Sequence, residues 1–544
     1  MAQLLDATGV PIPNAEQRRA RSKAMAGFNG VGFRSQSYDA AEWRTEEMSD
    51  WHPYLDGPDT ANNYSRDTIV ARTRDLVRND GWASGAVTRI LDGAVGADLR
   101  LVANPDYAAL SVYDPGFDAD WANEFRKVAE ALWRSWANDP NKYGDAKRKH
   151  TMGQIFRLAF RHRLVDGELL AQLAWIPQRM GYGRAKYATA VNLIDPDRLS
   201  NPQLVLDTVY CRGGVQIDDL GASVGYHIRR AHQNEWMLGP NQYIWDYIPR
   251  ETAQGRQVMV HDFDTMRDGE HRPAGGIFTP ILSRMKMLAK YDSVELQAAV
   301  INAIFAAYIE SPFDPNLMQD GMGDTLPQYQ ADRAEYGSER KIQLGGARIS
   351  ALFPGEKIGT VAATRPAAAF ADFEGAMLRN ASAALGLTYE QLSQDWSHVN
   401  YSSARAGLLE AWKTLARRRQ DFAIGFASPV YVAFLEEAID RGELPLPPGA
   451  PDFVEERAAY ARCMWMGPPR GWVDPVKEAQ AAVLRMDAGL STLRQECAEQ
   501  GMDYEEVIAQ RGREVAEFKK LGLALPTWAG VELASDTEMK PPPQ

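Results

Sequence analysis

The strongest constraint on the fold of this chain is a pair of long helical segments separated by a stretch of different pattern. The first runs from Ile281 to Ile309, with Pro280 at its start and Pro312 after its end. Proline is tolerated in the first turn of a helix and breaks the helix further along. At about 1.5 Å per residue this helix would be about 40 Å long, which is longer than most helices of globular proteins.

The second segment runs from about Ala367 to Leu385, and residues 313–365 between the two alternate Gly and Pro with short strands such as KIQLGG and ARISALF. This order predicts a helical hairpin that carries a β-rich insertion. The apolar sides of such a hairpin must be buried, and neighbouring copies of the chain in a ring would provide the surface. Burial between subunits would then contribute to the stability of each subunit.

The chain before the hairpin predicts an α+β domain. Residues 1–64 read as an N-terminal arm, and Ser65 is expected to cap the helix SRDTIVARTRDLVRN. Amphipathic helices and β-rich runs follow up to residue 280, including LLAQLAWIP, AVNLIDPDRL, VGYHIRRA and RQVMVHDF. The predicted fold class of the whole chain is therefore α+β and predominantly helical.

The chain after the hairpin is predicted to be mainly helical. A loop from Gly386 to Ser403 precedes a long helix over roughly 404–440, with a break near Pro429. The Pro-rich linker ELPLPPGAPDF and further helices follow, and the tail DTEMKPPPQ is expected to be disordered.

The bulk composition limits the functional classes. The chain has 544 residues, enough for several folding units, and a net charge of −12. Tight DNA binders usually present a basic field that releases counterions from phosphates. The net charge therefore argues against a repressor or a nuclease and is compatible with a protein past which DNA slides.

Cysteine usage and hydropathy indicate assembly in a reducing compartment. Cys211, Cys463 and Cys497 show neither paired nor metal-ligand spacing, so neither disulfides nor a metal site is expected. The densest apolar run, Leu296 to Ile309, is too short to span a bilayer. We therefore predict a protein assembled in the cytoplasm, without a membrane partner and without a cofactor.

Two motifs could carry chemistry, and both favour a structural interpretation. Gly221 to Gly225 matches a serine-nucleophile pattern around Ser223, but the following YHIRR predicts a strand where a hydrolase needs a helix. His261, Asp262 and Asp264 could ligate a metal, but neighbouring residues of a strand point to opposite faces. Neither a Walker A motif nor HExxH is present. We predict that the protein is not an enzyme and keep a hydrolase using Ser223 as an alternative.

Basic residues cluster at three places, and the default interpretation of each is a solvated helix face. The clusters are Lys147, Arg148, Lys149 and His150; Arg157, Arg161 and Arg163; and Arg417, Arg418 and Arg419. Arg284, Lys286 and Lys290 on the first long helix are different, because a ring of such helices would repeat their charges around a bore. We predict that these three side chains meet DNA phosphates.

Several segments in the same order resemble the lambda family of phage portal proteins, over nearly the whole chain from about Tyr38 to Leu521. The most specific is LSQD at 392–395 followed by NYSSARAG at 400–407, and the residues that carry this motif are Asp395, Asn400, Tyr401, Ser402, Ser403 and Arg405. Further segments are TRDLVRNDGWASGAV at 73–87, DGE at 166–168, LIDPDRL at 193–199, GYHI at 225–228, LFPGE at 352–356 and GPPRGWVDPVKEAQAA at 467–482. One departure is MRDGEHRPAGG at 266–276, where the family usually runs Arg-Pro, Gln, Arg-Gly, which puts the contact of that loop in doubt.

The resemblance implies a homo-oligomeric ring, a dodecamer, at the portal vertex of the virion capsid. Double-stranded DNA would pass through its axial channel in packaging and ejection, without sequence-specific contacts. The implied partners are the terminase large subunit, then head–tail adaptor proteins, with the major capsid protein and scaffold around the ring, and the implied place of assembly is the host cytoplasm. Another head–tail adaptor of different symmetry stays open as an alternative.

Carried onto this sequence, the resemblance implies a portal subunit with wing, stem, clip and crown. The expected parts are the arm 1–64, the wing 65–280, stem helices 281–310 and 367–386 around the clip 311–366, the tunnel loop 387–403, a wing and crown helix 404–445, crown helices 446–530 and the tail 531–544. In the tunnel loop Trp396 and His398 are candidates for facing DNA, as is Arg405 directly after it.

Overall fold

The computed structural model describes residues 50–233, 235–303, 307–310, 328, 331, 335, 341–344, 347–350, 357–360, 367–397, 399–469 and 475–525. The chain divides into a unit Met1–Gly57 and a unit Pro58–Gln544. Within the first unit, the described residues 50–57 contain neither helix nor strand. His398, the LFPGE segment and most of the arm, clip and tail lie outside the described residues.

Among the described residues, more lie in helices than in strands, as the sequence predicts. In chain order the helices are α1 (Pro58–Asn79), α2 (Gly81–Ala94), α3 (Tyr107–Leu110), α4 (Ala119–Ala137), α5 (Met152–Val165), α6 (Leu282–Ala303), α7 (Ala367–Leu385), α8 (Tyr389–Ser393), α9 (Tyr401–Phe422), α10 (Ser428–Asp440), α11 (Arg457–Tyr460), α12 (Pro475–Asp487), α13 (Leu493–Glu499) and α14 (Tyr504–Leu521).

The strands form small antiparallel sheets. They are β1 (Arg100–Ala103), β2 (Glu168–Trp175), β3 (Thr189–Ile194), β4 (Cys211–Arg212), β5 (Val215–Ile217), β6 (Ser223–Arg229), β7 (Trp245–Pro249), β8 (Met259–Phe263), β9 (Ala307–Glu310), β10 (Lys341–Leu344), β11 (Ala347–Ser350), β12 (Lys357–Thr360) and β13 (Cys463–Met466). The order is β3-β2-β8 in one sheet and β4-β5-β6-β7 in another, while β1 pairs with β13. The α+β class is confirmed, and the four β-rich runs predicted before residue 263 all contain strands.

The prediction that a helix starts at Ser65 is wrong. Helix α1 begins at Pro58, so Ser65 lies inside it. Proline suits the first turn, because its missing N–H is not needed there. Asp59 in the same turn is buried and accepts from the backbone N–H of His271 at 2.8 Å, a tertiary contact that fixes the helix start.

The first long helix is shorter than predicted. Helix α6 ends at Ala303, and the expected helical residue Ile309 belongs to β9, where it pairs with Ile358 of β12. The run Ala307–Glu310 contains an aromatic and a β-branched residue, which suit a strand. Its backbone pairs with that of β12, which lies about 50 residues farther along the chain. The segment 313–365 does contain the strands predicted at KIQL and ARIS, which pair as the hairpin β10-β11.

The two long helices pack against each other, as the predicted hairpin requires. The ring of Tyr291 in α6 lies 5.5 Å from the ring of Phe370 and 5.0 Å from that of Phe373 in α7. One end of the pair is anchored in the main hydrophobic core through Met285 and Leu288 of α6 and through Leu378, Ala381 and Leu385 of α7.

An aromatic cluster forms the centre of that core. The ring of Trp133 in α4 lies 5.8 Å from Tyr431 and 5.5 Å from Phe434, both in α10, and 5.6 Å from Trp465 in β13. Perpendicular ring contacts of this kind add to the free energy gained by burying the rings. The C-terminal helix α10 and strand β13 are thus part of the same core as the N-terminal helices.

The helical stretch Ser402–Asp440 is long and apolar enough, by length and composition alone, to cross a membrane. However, 61% of its most apolar window is buried inside the folded chain. Phe422, Phe426 and Phe434 are fully enclosed by the core, so packing within the protein accounts for its apolar character.

The predicted break near Pro429 is a local widening of the helix. Residues Ala423–Ala427 form a π-helical turn between α9 and α10, and Pro429 lies in the first turn of α10. The turn packs on β8, where a Cβ added to Gly425 would collide with the carboxylate of Asp262. The irregular turn therefore allows the long helix to approach the sheet closely.

We expect Gly425→Ala to destabilise the protein, because the added methyl group must displace a charged side chain in a packed interface. Overpacking of this kind costs about 1–3 kcal/mol, measurable as a shift of the denaturant midpoint at unchanged slope. Gly85→Ala is the matched control, since Gly85 lies in helix α2 with nothing within 4 Å of its added Cβ. This substitution should stabilise the protein by up to about 1 kcal/mol. Equal effects of the two variants would contradict the close approach at Gly425.

Candidate functional site

A buried carboxylate lies where several segments of the family resemblance meet. Glu168 is the first residue of β2, and its side chain is 0% exposed. Arg66 of α1 lies 2.6 Å from its Oε1 atom, Arg272 donates to both of its oxygens, and Nε2 of His261 in β8 lies 2.7 Å from Oε2. A buried carboxylate is tolerated only when it is paired and hydrogen-bonded. We call Glu168, Arg66, Arg272 and His261 the ion network.

The two arginines keep Glu168 ionised. Burial by itself would raise the pKa of Glu168, but the guanidinium groups of Arg272 and Arg66 and the hydrogen bond with His261 hold that pKa well below its ordinary value. Glu168 therefore carries its charge at neutral pH, and the charge joins four separate segments of the chain.

The loop at 266–276, where the sequence departs from the family pattern, contributes directly to the ion network. Arg272 also donates to the carbonyl oxygens of Leu199 at 2.6 Å, Gly213 at 2.9 Å and Pro196 at 3.0 Å. His271 beside it contacts Asp59 through Nδ1 at 2.7 Å. The sequence left the contact of this loop in doubt. In the structure Arg272 makes that contact and joins the DGE turn to the LIDPDRL segment.

A second charged group lies next to the network, around Arg74 of α1. Its Nε atom donates to Asp166 at 2.7 Å, its Nη2 atom to Asp195 at 3.0 Å and its Nη1 atom to Asp197 at 2.5 Å. Asp195, Asp197 and His232 place possible ligand atoms within 4.8 Å of one another, but Arg74 already pairs with both carboxylates. The ion pairs of Arg74 therefore hold the segments at 73–87, 166–168 and 193–199 together.

The turn that holds Glu168 also needs glycine. Gly167 has a φ of +91°, and an added Cβ would lie against the backbone of Gly275. The amide of Ile277 donates to the carbonyl of Leu164 at 2.9 Å. The DGE turn and the 266–276 loop thus approach backbone to backbone, which a side chain would prevent.

We expect Glu168→Gln to be strongly destabilising, because two buried guanidinium groups lose their counter-charge. Breaking a buried pair costs about 3–5 kcal/mol, measurable by denaturant unfolding at pH 7. Because the folded-state pKa of Glu168 is depressed, its contribution is complete above the unfolded value of about 4.3 and is lost as the pH falls through the folded value. The variant should therefore lose less stability on acidification than the wild type.

Asp246→Asn is the matched control for this prediction. Asp246 pairs with Arg230 at 2.7 Å on the surface, where the two side chains are 47% and 52% exposed. An exposed pair of this kind contributes little to stability, because water and salt screen it. A loss from Glu168→Gln no larger than that of the control would show that the network does not hold the fold together.

The hallmark motif forms a short loop between two capped helices. Thr388 and Gln391 form a capping box at the start of α8, and Gln394 ends α8 in a left-handed conformation. Asp395 accepts from the amide and the hydroxyl of Ser397, at 3.0 and 2.6 Å, and Asn400 caps α9 by accepting from the amide of Ser403 at 2.9 Å. Helix α9 therefore starts at Tyr401, not at 404, because an asparagine at this position satisfies the first free amides.

The other side chains predicted for the loop are placed as follows. Trp396 is 42% exposed, whereas His398 lies outside the described residues. Ser402 and Ser403 are exposed. Arg405 points towards the C-terminal helices, where its Nη2 atom lies 3.7 Å from Glu478 of α12.

The three cations predicted on the first long helix are all exposed, but they do not share one side of it. Lys286 and Lys290 are four residues apart and lie on one face, while Arg284 is rotated by about 200° from Lys286 at 100° per residue. The buried side chains Met285 and Leu288 lie opposite the lysines. The lysine face is therefore the side of α6 that points away from the core.

Many residues of the other basic clusters have structural contacts. Arg419 donates to the carbonyls of Ala94 at 2.8 Å and Gly93 at 3.0 Å, and Arg418 donates to that of Leu385 at 2.9 Å. Arg163 is buried and pairs with Asp262 at 3.2 Å and Asp264 at 2.5 Å. These charges stabilise helix contacts and are not available for a ligand.

The two alternative chemistries lack the geometry that they need. Ser223 begins strand β6, so the turn around it leads into a strand and not into a helix. A cavity of about 110 Å³ does bring Ser223, His261 and His271 together, but Nε2 of His271 already contacts the carbonyl of Gly221 at 2.9 Å, and His261 contacts Glu168. His261 and Asp262 have separate partners, as the alternation of a strand predicts.

Comparison with known proteins agrees with the resemblance. The model of the family described as "Phage portal protein, lambda family" matches residues 44–419. Portal protein B of Escherichia phage lambda is 35% identical over 500 residues, which cover 90% of this chain and 91% of that protein. The portal protein of Escherichia phage N15 is 35% identical over 494 residues, covering 89% and 90%.

Among solved structures, the neck of an empty gene transfer agent particle, computed with C6 symmetry, matches with a TM-score of 0.44 and 15% identity. The match covers 85% of this chain and 94% of that chain. The family and its relatives define the class of this protein as a structural component of a phage particle. The chain belongs to the lambda family of phage portal proteins.

Sequence reasoning missed the ion network. It named the segments that contain Arg74, Glu168 and Asp195 but assigned them no contact, and it left the loop of Arg272 in doubt. A signal was present at Glu168, since this acidic residue directly precedes the apolar run LLAQLAW. An isolated charge at the edge of a strand often needs a buried partner, but the sequence alone does not say which partner it has.

Proposed function

We propose that this portal protein forms a dodecameric ring around an axial channel at the portal vertex of the capsid. The ring is assembled in the host cytoplasm. Double-stranded DNA passes through the channel during packaging and ejection. Membership of the lambda family supports this proposal, and so does the packing of α6 against α7. The proposed mechanism is geometric and electrostatic, since ring closure sets the width of the bore.

The observation that carries the proposal is the unequal burial of α6. Its first turns lie in the main core through Met285 and Leu288, but Met287 between them is 66% exposed, and farther along the helix Val294 is 53% and Leu296 68% exposed. Phe373 of α7 is 44% exposed. Exposed apolar surface of this kind is costly in water and is typical of an interface. Neighbouring copies of the two helices would bury it.

The parts of the subunit follow from this assignment. The α+β body before residue 280 forms the wing, α6 and α7 form the stem, and the strands of 307–360 belong to the clip. The tunnel loop lies within residues 387–403, the long helix of α9 and α10 that follows it belongs to the wing and the crown, and the crown helices lie within residues 446–530. The clip docks the terminase large subunit and later the head–tail adaptor, while the major capsid protein and the scaffold surround the ring.

The bore is proposed to hold DNA only loosely. Lys286 and Lys290 share the exposed face of the stem helix and would repeat around the ring, where they meet phosphates at close range. Arg284 lies on a different side and would meet DNA less directly. Trp396 and His398 of the tunnel loop are further candidates, whereas Arg405 is less suited because it lies beside Glu478. The net charge of −12 limits how tightly the whole ring attracts DNA.

Leu296→Asp tests the assembly. We expect the subunit to fold normally, because Leu296 is 68% exposed, while ring formation is lost, because Leu296 lies to one side of the lysine face and a carboxylate there would be buried at every subunit interface. Electron microscopy of negatively stained particles counts the subunits of the wild-type ring, and sedimentation measures the loss in the variant. Val112→Asp is the control, since Val112 is 83% exposed outside the stem. A wild-type monomer, or rings formed by Leu296→Asp, would contradict the proposed stem interface.

Lys286→Glu/Lys290→Glu tests the bore. We expect rings to form, but DNA packaging or retention to fall, because the double variant replaces attraction to phosphates by repulsion. Lys127→Glu/Arg161→Glu makes the same change of charge at exposed positions on α4 and α5 and should leave packaging unchanged. Packaged DNA is measured as nuclease-resistant DNA per particle. Equal packaging by the two double variants would exclude a role of the lysine face.

A further inference from the structure

The helices near the C-terminus are attached to the body differently from the rest of the chain. Neither α12 nor α14 has a buried residue among the described residues, and α13 has only Cys497. Apolar side chains such as Leu484, Ile508 and Leu521 of these helices are exposed by 50% or more. Burial in the hydrophobic core therefore does not explain what holds α14 in place.

Charge holds the first turn of α14. Three arginines from two elements converge on it: Arg100 from β1, and Arg126 and Arg134 from α4. Arg126 pairs with Glu505, and Glu506 pairs with Arg100 and, at 2.7 Å, with Arg134. We call Arg100, Arg126 and Arg134 the arginine triad.

Two members of the triad have contacts within α4 that do not involve the two glutamates. Arg126 is anchored along α4 with its side chain 7% exposed, and its Nε atom lies 4.0 Å from Glu130. Arg134 donates from Nε to the carbonyl oxygen of Glu130 at 3.4 Å. The Nε atom of Arg126 has no hydrogen-bond partner within the described part of the chain. Removal of the charges of Glu505 and Glu506 would therefore leave three neighbouring guanidinium groups, two of them held by α4.

Such a group of arginines matches the chemistry of phosphate. Guanidinium is always charged, and its planar array of donors binds phosphate oxygens in pairs. Glu506 is 47% and Arg134 52% exposed, so solvent ions reach the contact and screen it. A polyanion offers many closely spaced phosphates and gains entropy from released counterions, which two glutamates on a surface helix do not.

We propose that the arginine triad is a binding site for the phosphates of a polyanion such as duplex DNA, and that Glu505 and Glu506 occupy it in the resting subunit. A polyanion at high local concentration displaces the start of α14 and takes over the three arginines. The site is formed within one subunit, so this proposal does not depend on the stem, the bore or the number of subunits in the ring.

The test uses the full-length chain and a short fluorescent DNA duplex, with binding followed by anisotropy. Glu505→Gln/Glu506→Gln removes the competing charges while retaining the side-chain shape. We expect tighter binding than in the wild type, and a dependence of log K on log salt that is steeper by about 2 to 3, because about three more phosphates are neutralised. Adding Arg126→Gln and Arg134→Gln to this variant should remove most of the gain.

Asp246→Asn is the matched control, because it leaves the single surface arginine Arg230 without its partner and creates no cluster. An equal gain in the control, or no gain in Glu505→Gln/Glu506→Gln, would overturn the proposal. A second measurement needs no variant: saturating duplex should raise amide hydrogen exchange in α14 of the wild-type chain and leave α5 unchanged. Unchanged exchange in α14 with duplex bound would likewise overturn the proposal.

Discussion

The enclosed charge of Glu168 is the constraint on which the body of this subunit depends. An ionised carboxylate without access to water is stable only if its partners arrive together, and here they come from α1, from β8 and from the loop before the stem. Arg272 extends the same contact to the carbonyls of residues 196, 199 and 213. Helix α1, the sheet of β2 and the loop of residues 266–276 are therefore fixed relative to one another by charge as well as by apolar packing.

This arrangement gives a rigid base to the two helices that leave it. Met285 and Leu378 lie in the same core as the aromatic cluster of Trp133, so the near ends of α6 and α7 are part of the body. Farther along, Tyr291 and Phe373 join α6 to α7, but Val294 and Leu296 are exposed in the single subunit. In the proposed ring, copies of the same chain would bury these side chains, and folding would then be coupled to assembly because each new contact would stabilise both.

Charge has three separate roles in this chain, and burial distinguishes them. In the ion network it is enclosed and specific, and the loss of one partner leaves another charge unpaired in a medium of low polarity. On α6 the charges of Lys286 and Lys290 are exposed to solvent, where salt screens them. Between α4 and α14 the pairs are intermediate in exposure. A contact of that kind is strong enough to place a helix that lacks buried residues and weak enough to be exchanged for another anion.

The sequence determined the local elements: the fold class, the four β-rich runs, the β10-β11 hairpin and the helix Ala367–Leu385. It also determined the family, because ordered motifs from residue 73 to residue 482 are specific even where each is weak. These features depend on side-chain periodicity and on neighbours along the chain. The early start of α1 at Pro58, the end of α6 at Ala303 and the start of α9 at Tyr401 depend on contacts or caps that periodicity does not record. Only the tertiary structure decided that Glu168 faces Arg66 and Arg272 and that Arg405 lies beside Glu478. The physical reason is that a charged residue selects its partner by distance in space, and residues far apart in sequence become neighbours only when the core has formed.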